Sequence, residues 1–387
     1  MLYRNANLFR GSGFEKCDFR VENGIFTEIL PAAGNGSGED LKGAFVLPGL
    51  IDLHIHGCVG EDFSEADADG YAKAARWLAA QGVTGFAATT ATCPKEQLLR
   101  AVHTAAAFAG STPDGCAALL GIHMEGPFFS REKKGAQNPA FLLEPDCALF
   151  RKFHEAGKGM LKLLSVAPEL PGAQALIREA QTFCRVAVGH TAANYEQAAA
   201  AFDAGASHVT HLFNGMKPLH HRDPGVIGAA AERKNVTAEL IGDGFHVQES
   251  AVRLAFTLFP DRLCLISDSL RCCGLPDGSY DFCGQTIRKQ NGLARLPDGT
   301  IAGAANDLFT DLLRVIDMGV DPAQAILAAT LRPAQVLGCD DRVGSIECGK
   351  RADFLVLNSD YTRKAVFLGG VKLQTEGSEQ RNEYGHD

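Results

Sequence analysis

The sequence predicts an α/β protein: a (β/α)8 TIM barrel with a small β-sandwich domain formed by the N- and C-terminal segments. Short apolar runs rich in β-branched residues alternate eight times with Ala-rich helical segments. This alternation indicates parallel strands joined by crossover helices, and eight such units are the number that closes a barrel. β-like segments without intervening helices lie at both ends of the chain, where we expect them to pair.

The composition is that of an ordinary globular protein. The 387 residues are 46% hydrophobic, and 46 acidic against 37 basic residues give a net charge of −9. These values exclude a disordered or fibrous chain, and the absence of a basic tract argues against nucleic-acid binding. We find neither an apolar run long enough to span a membrane nor the apolar stretch of a signal peptide. The 12 cysteines are scattered, which favours a reducing, cytoplasmic setting over a disulfide scaffold.

The first segment, residues 1–45, is predicted to be β structure. Two β-like segments, Cys17–Glu22 and Ile25–Leu30, flank Asn23-Gly24, the strongest short hairpin signal. We predict three parts of the chain: 1–45 as the first part of the sandwich, 46–338 as the barrel, and 339–387 as the second part of the sandwich with a polar tail.

Eight strands and the helices between them follow in order. The predicted strands are Phe45–Leu53, Thr84–Thr89, Ala117–His123, Leu161–Val166, Arg185–Val188, His208–His211, Val236–Ile241 and Leu263–Ser267. The predicted helices between them are Ala66–Gln81, Lys95–Phe108, Pro145–Ala156, Ala173–Phe183 and Tyr195–Ala204.

The alternation stops after the eighth strand. Two Pro-Asp-Gly turn signals in residues 275–303 predict an inserted hairpin region. Helices are predicted again over Leu308–Met318 and Pro322–Leu337, and β structure over Gly344–Leu357 and Lys364–Leu373. The polar stretch from Gln374 to Asp387 is predicted to be a frayed tail.

Polar side chains lie where several predicted strands end, which is where a barrel places its chemistry. His54 and His56 alternate along the first strand and therefore point to the same side. The other side chains of this kind are Glu125, His190, His211 and Asp268. Neutral imidazoles combined with carboxylates are typical ligands of Zn²⁺ and similar ions. The residues alone therefore predict a metal-dependent barrel hydrolase.

At these positions the chain resembles the amidohydrolase superfamily and, within it, the N-acetylglucosamine-6-phosphate deacetylase family. The segments that carry the resemblance occur in the family's order over most of the chain. They are PGLIDLHIHG (48–57), HMEGPFF and KKGAQNP (within 123–139), VGHTAA (188–193), THLFNGM and HHRDPGVIG (within 210–228), IGDGFHV (241–247) and SDS (267–269).

The resemblance implies hydrolysis of the acetamide of N-acetylglucosamine 6-phosphate to glucosamine 6-phosphate and acetate, in amino-sugar catabolism. It implies one or two divalent metal ions, with Zn favoured and Fe, Mn, Co or Ni open. Glu125, His190 and His211 would hold the main ion, His54 and His56 a second and weaker one, and Asp268 would be the catalytic acid/base. Substrate-binding positions carried over from the family are Ala136, Gln137, Asn214, Gly215, Arg222, His246, Ala302, Gly303 and Ala304. The resemblance also implies a homodimer in which Arg222 acts across the interface.

Two departures and two alternatives stay open. Some family members have His where this chain has Gln137, and the adjacent Cys272 and Cys273 are unusual for the family. The first alternative is a related activity on the same barrel, on N-acetylgalactosamine 6-phosphate or another N-acyl substrate. The second is a non-catalytic barrel that has lost its metal, and the presence of every ligand and of Asp268 argues against it.

Overall fold

The computed structural model describes residues 1–33 and 37–374, which form a parallel barrel, a sheet built from both chain ends, and a four-stranded insertion. The strands are β1 Leu2–Phe9, β2 Phe14–Glu22, β3 Ile25–Pro31, β4 Glu39–Asp40, β5 Phe45–Pro48, β6 Leu50–Ile55, β7 Gly57–Cys58, β8 Glu61–Asp62, β9 Val83–Thr90, β10 Ala118–Glu125, β11 Leu161–Val166, β12 Arg185–Val188, β13 His208–Val209, β14 Thr237–Ile241, β15 Leu263–Ile266, β16 Gly278–Phe282, β17 Gln285–Gln290, β18 Leu293–Arg295, β19 Ile301–Ala304, β20 Phe354–Leu357, β21 Arg363–Leu368 and β22 Val371–Lys372. The helices are α1 Ala68–Ala80, α2 Lys95–Ala109, α3 Cys147–Ala156, α4 Ala173–Ala180, α5 Tyr195–Asp203, α6 Gly225–Ala231, α7 Glu249–Leu258, α8 Leu308–Asp317, α9 Pro322–Ala329 and α10 Leu331–Leu337.

Eight parallel strands form the barrel and confirm the predicted fold class. Their order is β6, β9, β10, β11, β12, β13, β14 and β15. Every residue of β6 and β9 is buried, because one face of each strand meets the barrel interior and the other meets the helices. β6 and β15 come together at the mouth, where the Asp268 N–H donates to the His54 carbonyl at 3.0 Å.

Helices cover the outside of the barrel. The Asp67 side chain accepts the Gly70 N–H at 3.0 Å and so begins α1, which buries Ala74, Ala75 and Leu78. The first five predicted helices are present with ends shifted by a few residues. Helices α6 and α7 were not predicted, and the predicted helix over 322–337 is divided at Thr330 into α9 and α10.

Both chain ends contribute to one further sheet, in the order β22, β21, β20, β5, β1, β2 and β3, with β4 beside β1. The terminal β domain is therefore confirmed, and its hydrogen bonds join all eight strands into a single sheet. The hairpin at Asn23-Gly24 connects β2 to β3 as predicted. The sheet has its own aromatic core, in which the Phe354 ring stacks on Phe367 at 4.3 Å.

The predicted first barrel strand is divided between the two sheets at Gly49. β5 pairs with β1 and β20 of the terminal sheet, whereas β6 belongs to the barrel. A Cβ atom on Gly49 would lie 2.1 Å from Thr84 Oγ1, so this close passage between the sheets requires glycine. The division into 1–45, 46–338 and 339–387 stays a prediction, and residues 375–387 of the predicted tail lie outside the described part of the chain.

The insertion is an antiparallel sheet, β16 to β19, that lies against the barrel mouth. The Ala304 N–H donates to the Asp268 carbonyl at 2.9 Å, and the Ala304 carbonyl accepts the Leu270 N–H at 3.0 Å. The Phe282 ring packs edge-on against the His56 ring, with 5.6 Å between centroids. The insertion is thus attached directly to residues of the candidate site. Within the described residues, none of the helices is long and apolar enough to cross a membrane.

Candidate metal centre

Six side chains predicted from the ends of five strands converge at the barrel mouth. Glu125 ends β10, and His190, His211 and Asp268 follow β12, β13 and β15. These last three residues have φ values of 46°, 26° and 50°, in the left-handed region that non-glycine residues seldom adopt. Such backbone strain is concentrated at functional sites, where it aims side chains that a regular strand would direct elsewhere.

The first donor group is Glu125, His190 and His211. Glu125 Oε1 lies 3.0 Å from both His190 Nε2 and His211 Nε2, and the two nitrogens are 3.0 Å apart. The opposite ring nitrogens face carbonyl oxygens, since His190 Nδ1 is 2.9 Å from Lys133 O and His211 Nδ1 is 3.1 Å from Asn214 O. In the neutral rings the protons therefore lie on Nδ1, and both Nε2 lone pairs point at the carboxylate. A cation satisfies three converging lone pairs, so these residues fit a divalent metal ion.

The second donor group is His54, His56 and Asp268. Asp268 Oδ1 lies 3.4 Å from His54 Nε2 and 3.3 Å from His56 Nε2. His54 Nε2 is buried without a hydrogen-bond partner among the described residues. Glu125 joins the groups, because its Oε2 atom is 3.3 Å from His56 Nε2. The donor set therefore fits one or two divalent ions, and Glu125 lies within reach of both groups.

The charges of the site support one another. Burial opposes ionisation of Glu125, but the His190 and His54 imidazoles hold the pKa of its carboxyl group well below the usual range. Burial likewise opposes ionisation of Asp268, and His54 and His56 lower its pKa. For His211, burial is outweighed by the hydrogen bond to Glu125, which raises its pKa to about 9. Protons and metal ions therefore compete for the same nitrogen atoms.

Gln137 contacts a proposed metal ligand. Its Nε2 donates to Glu125 Oε2 at 2.5 Å, its Oε1 accepts the Thr92 N–H at 2.6 Å, and the residue is 3% exposed. The sequence placed Gln137 among the substrate-binding residues. That assignment stays a prediction, and in the structure each end of the amide makes a hydrogen bond to a protein group, one of which is Glu125.

Several other predicted substrate-binding residues line the same mouth. A Cβ atom on Gly215 would lie 3.1 Å from His190 Nδ1, so its absence lets this backbone approach both histidines of the first group. Asn214 precedes it and is half-buried. On β19, a Cβ atom on Gly303 would lie 2.9 Å from the Asp268 carbonyl oxygen. Ala302 and Ala304 flank Gly303, and both backbone polar groups of Ala304 bond to the segment around Asp268.

The remaining predicted residues are Ala136, His246 and Arg222. The Ala136 carbonyl accepts a hydrogen bond from Gln285 Nε2 of the insertion at 2.7 Å. His246 Nδ1 lies 2.7 Å from Asp243 Oδ2, which fixes its ring orientation. Arg222 is exposed, and its Nη1 lies 2.9 Å from His221 Nε2. Among the described residues no hydrogen bond or ion pair joins Arg222 to either donor group.

Glu239 was missed by the sequence analysis. Its Oε2 lies 2.8 Å from His54 Nδ1 and accepts the His211 N–H at 3.0 Å, while its Oε1 lies 3.1 Å from His208 Nε2. A glutamate within the apolar run 236–241 was the available signal, because charged residues are seldom fully buried without partners.

Comparison with known proteins identifies the family to which the chain belongs. The Amidohydrolase family model matches residues 45–271 and 289–373. An N-acetylgalactosamine-6-phosphate deacetylase of Escherichia coli O157:H7 is 35% identical over 91% of this chain and 93% of its own. An N-acetylglucosamine-6-phosphate deacetylase of Vibrio furnissii is 34% identical over 94% of this chain and 92% of its own.

Solved structures agree with these relatives. An N-acetyl-D-glucosamine-6-phosphate deacetylase mutant from Mycobacterium smegmatis, in complex with N-acetyl-D-glucosamine 6-phosphate, has a TM-score of 0.90 and 32% identity, covering 96% of this chain and 98% of that one. The enzyme from Thermotoga maritima has a TM-score of 0.86 and 28% identity, covering 96% and 99%. The Amidohydrolase family model matches most of the sequence, and relatives covered over nearly their full length are more than 30% identical. The chain therefore belongs to the amidohydrolase family.

Proposed function

We propose that this protein hydrolyses the acetamide of N-acetylglucosamine 6-phosphate to glucosamine 6-phosphate and acetate, using divalent metal. The observation that carries the proposal is the convergence of Glu125, His190 and His211 beside Asp268 at the barrel mouth. Full-length relatives named as deacetylases of N-acetyl amino-sugar phosphates support the substrate class.

Glu125, His190 and His211 would hold the main ion, and His54 and His56 would contribute to a second one. Nitrogen and carboxylate donors favour Zn²⁺, and Fe, Mn, Co and Ni suit the same donors. A bound divalent ion polarises the acetamide carbonyl and makes water more acidic.

Asp268 would act as general base and then general acid. Its depressed pKa keeps the carboxylate ionised near neutral pH, so it can accept the proton of the attacking water. It would then pass that proton to the sugar nitrogen as the C–N bond breaks, because an unprotonated amide anion is a poor leaving group. Its backbone bonds to His54 and Ala304 hold the carboxylate in the mouth.

Arg222 and His246 would bind the phosphosugar. A guanidinium group presents a planar set of donors that matches a phosphate. Since Arg222 is exposed and, in the part of the chain that the structure describes, bonds to neither donor group, we propose that it reaches the phosphate in a second subunit of a homodimer.

N-acetylgalactosamine 6-phosphate is the second candidate substrate. A relative named for that activity is 35% identical over 91% of this chain. The two sugars differ only in the configuration of one ring hydroxyl group, and the acetamide chemistry would be the same.

Acetate release and metal content of the purified protein test the proposal together. We expect bound divalent metal and rapid hydrolysis of N-acetylglucosamine 6-phosphate, with unphosphorylated N-acetylglucosamine a poor substrate. Faster hydrolysis of the galacto epimer would favour the second candidate. Absence of acetate from both phosphosugars after loading with Zn, Fe, Mn, Co and Ni would refute the proposal.

A further inference from the structure

Glu239 is a buried carboxylate that none of the steps proposed above uses. It lies on β14 with 0% exposure, inside the barrel beneath the two donor groups. Within the described part of the chain its ion-pair partners are the histidines His54, His123 and His208. A carboxylate without a Lys or Arg partner in such a place is costly for stability, and its retention calls for a reason.

One oxygen of Glu239 contacts a residue from each donor group. Oε2 lies 2.8 Å from His54 Nδ1 and 3.0 Å from the backbone nitrogen of His211. An ionised carboxylate accepts hydrogen bonds only, so the proton of neutral His54 lies on Nδ1. His54 Nε2 then presents its lone pair towards Asp268 Oδ1, 3.4 Å away.

The contact to His211 acts on a strained backbone. His211 has φ of 26°, and its N–H donates to the Glu239 side chain instead of to a strand. Without this acceptor the N–H would be buried and unpaired, at a cost of about 1–3 kcal/mol. The Glu239 side chain therefore supports the conformation that turns the His211 ring towards Glu125.

The other oxygen fixes Glu239 itself. Oε1 lies 3.1 Å from His208 Nε2, and His208 Nδ1 lies 2.6 Å from Thr237 Oγ1. These contacts run along the barrel interior between β13 and β14. A carboxylate held at both oxygens is a rigid support for the residues above it.

We propose that Glu239 is a positioning residue that fixes His54 and His211, one ligand from each donor group, through a single carboxylate oxygen. This inference rests on the metal ligands assigned under the proposed function. Partners of metal-bound histidines typically change metal affinity 10–100-fold when they are removed. Such a partner usually contacts one histidine ring, whereas Glu239 contacts a residue of each donor group and so couples the two groups.

Two substitutions and a matched control test the inference. Glu239→Ala removes both contacts of Oε2, whereas Glu239→Gln can keep an amide oxygen facing His54 and His211, at the loss of the charge and of the acceptor that faces His208 Nε2. Asp353→Asn is the control, because Asp353 is also a buried carboxylate and lies beside the terminal sheet, away from the mouth. Each full-length protein is titrated with Zn²⁺ in a chelator buffer, and its Co²⁺ form is examined by visible absorption.

We expect Glu239→Ala to lower the affinity for at least one of the two ions by about 10–100-fold and to change the Co²⁺ spectrum. Glu239→Gln should show a smaller loss, and Asp353→Asn should match the wild type. Wild-type affinities and spectrum in Glu239→Ala, or an equal loss in Asp353→Asn, would overturn the inference. If Glu239→Ala does not fold, wild-type affinities and spectrum in Glu239→Gln overturn it, and a loss there supports it.

The proposed function is judged separately, on the wild-type protein. A wild type that binds metal but releases no acetate would refute the deacetylase proposal, and a metal loss specific to the Glu239 variants would still support the positioning role.

Discussion

Replacing Gln137 with leucine tests whether this side chain positions Glu125 or binds substrate. Leucine is close to glutamine in size and removes both polar contacts of the amide. The first is the 2.5 Å hydrogen bond to Glu125 Oε2, and the second is the 2.6 Å bond from the Thr92 N–H. Both contacts lie in the interior, since Gln137 is only 3% exposed.

The expected magnitudes follow from the two contacts. A hydrogen bond to an ionised group is worth about 1.5–3 kcal/mol, and a buried N–H left without an acceptor costs about 1–3 kcal/mol. Gln137→Leu should therefore lower the free energy of unfolding of the metal-free protein by roughly 2.5–6 kcal/mol. Loss of the partner of Glu125 should also weaken metal binding about 10–100-fold.

The assay combines urea unfolding, Zn²⁺ titration and steady-state kinetics. The control is Gln285→Leu, which removes a 2.7 Å hydrogen bond from a half-buried glutamine to the Ala136 carbonyl, a neutral acceptor. We expect Gln285→Leu to leave the Zn²⁺ affinity unchanged. If Gln137→Leu retains wild-type Zn²⁺ affinity and instead raises KM for the phosphosugar, Gln137 binds substrate and our assignment is wrong.

Four further predictions test other parts of the site. Asp268→Asn should keep the ion at Glu125, His190 and His211 by metal analysis while kcat falls by at least ~10²; near-normal turnover would remove Asp268 from the proton transfers. Arg222→Ala should raise KM for N-acetylglucosamine 6-phosphate far more than for the unphosphorylated sugar, and equal effects would show that Arg222 does not bind phosphate. The hydrogen bond to Glu125 outweighs burial and raises the folded-state pKa of His211 to about 9. In the metal-free protein the contribution of protonated His211 to stability is therefore complete below pH ~6.5 and is lost as pH rises through 9. Urea unfolding at fixed pH values across that window measures this loss, and added Zn²⁺ should reduce the loss. Cys93 lies in the segment after β9 and Cys283 in the insertion, and their Sγ atoms are 2.9 Å apart. The thiol oxidant diamide should therefore join them as a disulfide, which peptide mass spectrometry detects. Persistence of both free thiols would contradict this geometry.

The sequence predicts the barrel well because its strands are buried on both faces. Such strands appear as continuous apolar runs, so all eight were found without alternation of polar and apolar residues. Their ends were harder to predict, because they depend on contacts with other parts of the chain. The first run is divided at Gly49 because β5 pairs with β1 and β20 whereas β6 pairs with β9, and these partners are distant in the sequence.

The sequence analysis missed helix α6 and the break at Thr330 for local reasons. Helix α6 is seven residues long and includes Gly225 and Gly228, which weaken its helical signal. Gly228 is suited to its place because a Cβ atom there would lie 2.4 Å from the Pro224 side chain. The break occurs at Thr330, whose backbone is not helical and whose Oγ1 donates to the Ile326 carbonyl at 2.7 Å.

The proposed metal ligands could be found from the sequence because each lies at the end of a strand, and the barrel brings strand ends together whatever the details of packing. Gln137 shows the limit of this reasoning. It lies in a long segment without regular structure between β10 and α3, and only the path of that segment brings its amide back to Glu125.

Glu239 lies between these two cases. Alternation along β14 puts Thr237, Glu239 and Ile241 on one face, and Ile241 packs with Ile51 and Leu163 inside the barrel. A sequence reader who assigns that strand to a barrel can therefore infer that a carboxylate is buried there, and that it must have hydrogen-bond donors. The sequence does not identify these donors. They depend on the strained backbone at His211, whose N–H reaches Glu239 Oε2, and on β6, whose His54 side chain points inward to the same oxygen. A charged residue inside an otherwise apolar barrel strand thus indicates a buried side chain that holds site residues in place. For Glu239 the structure identifies these residues as His54 and His211.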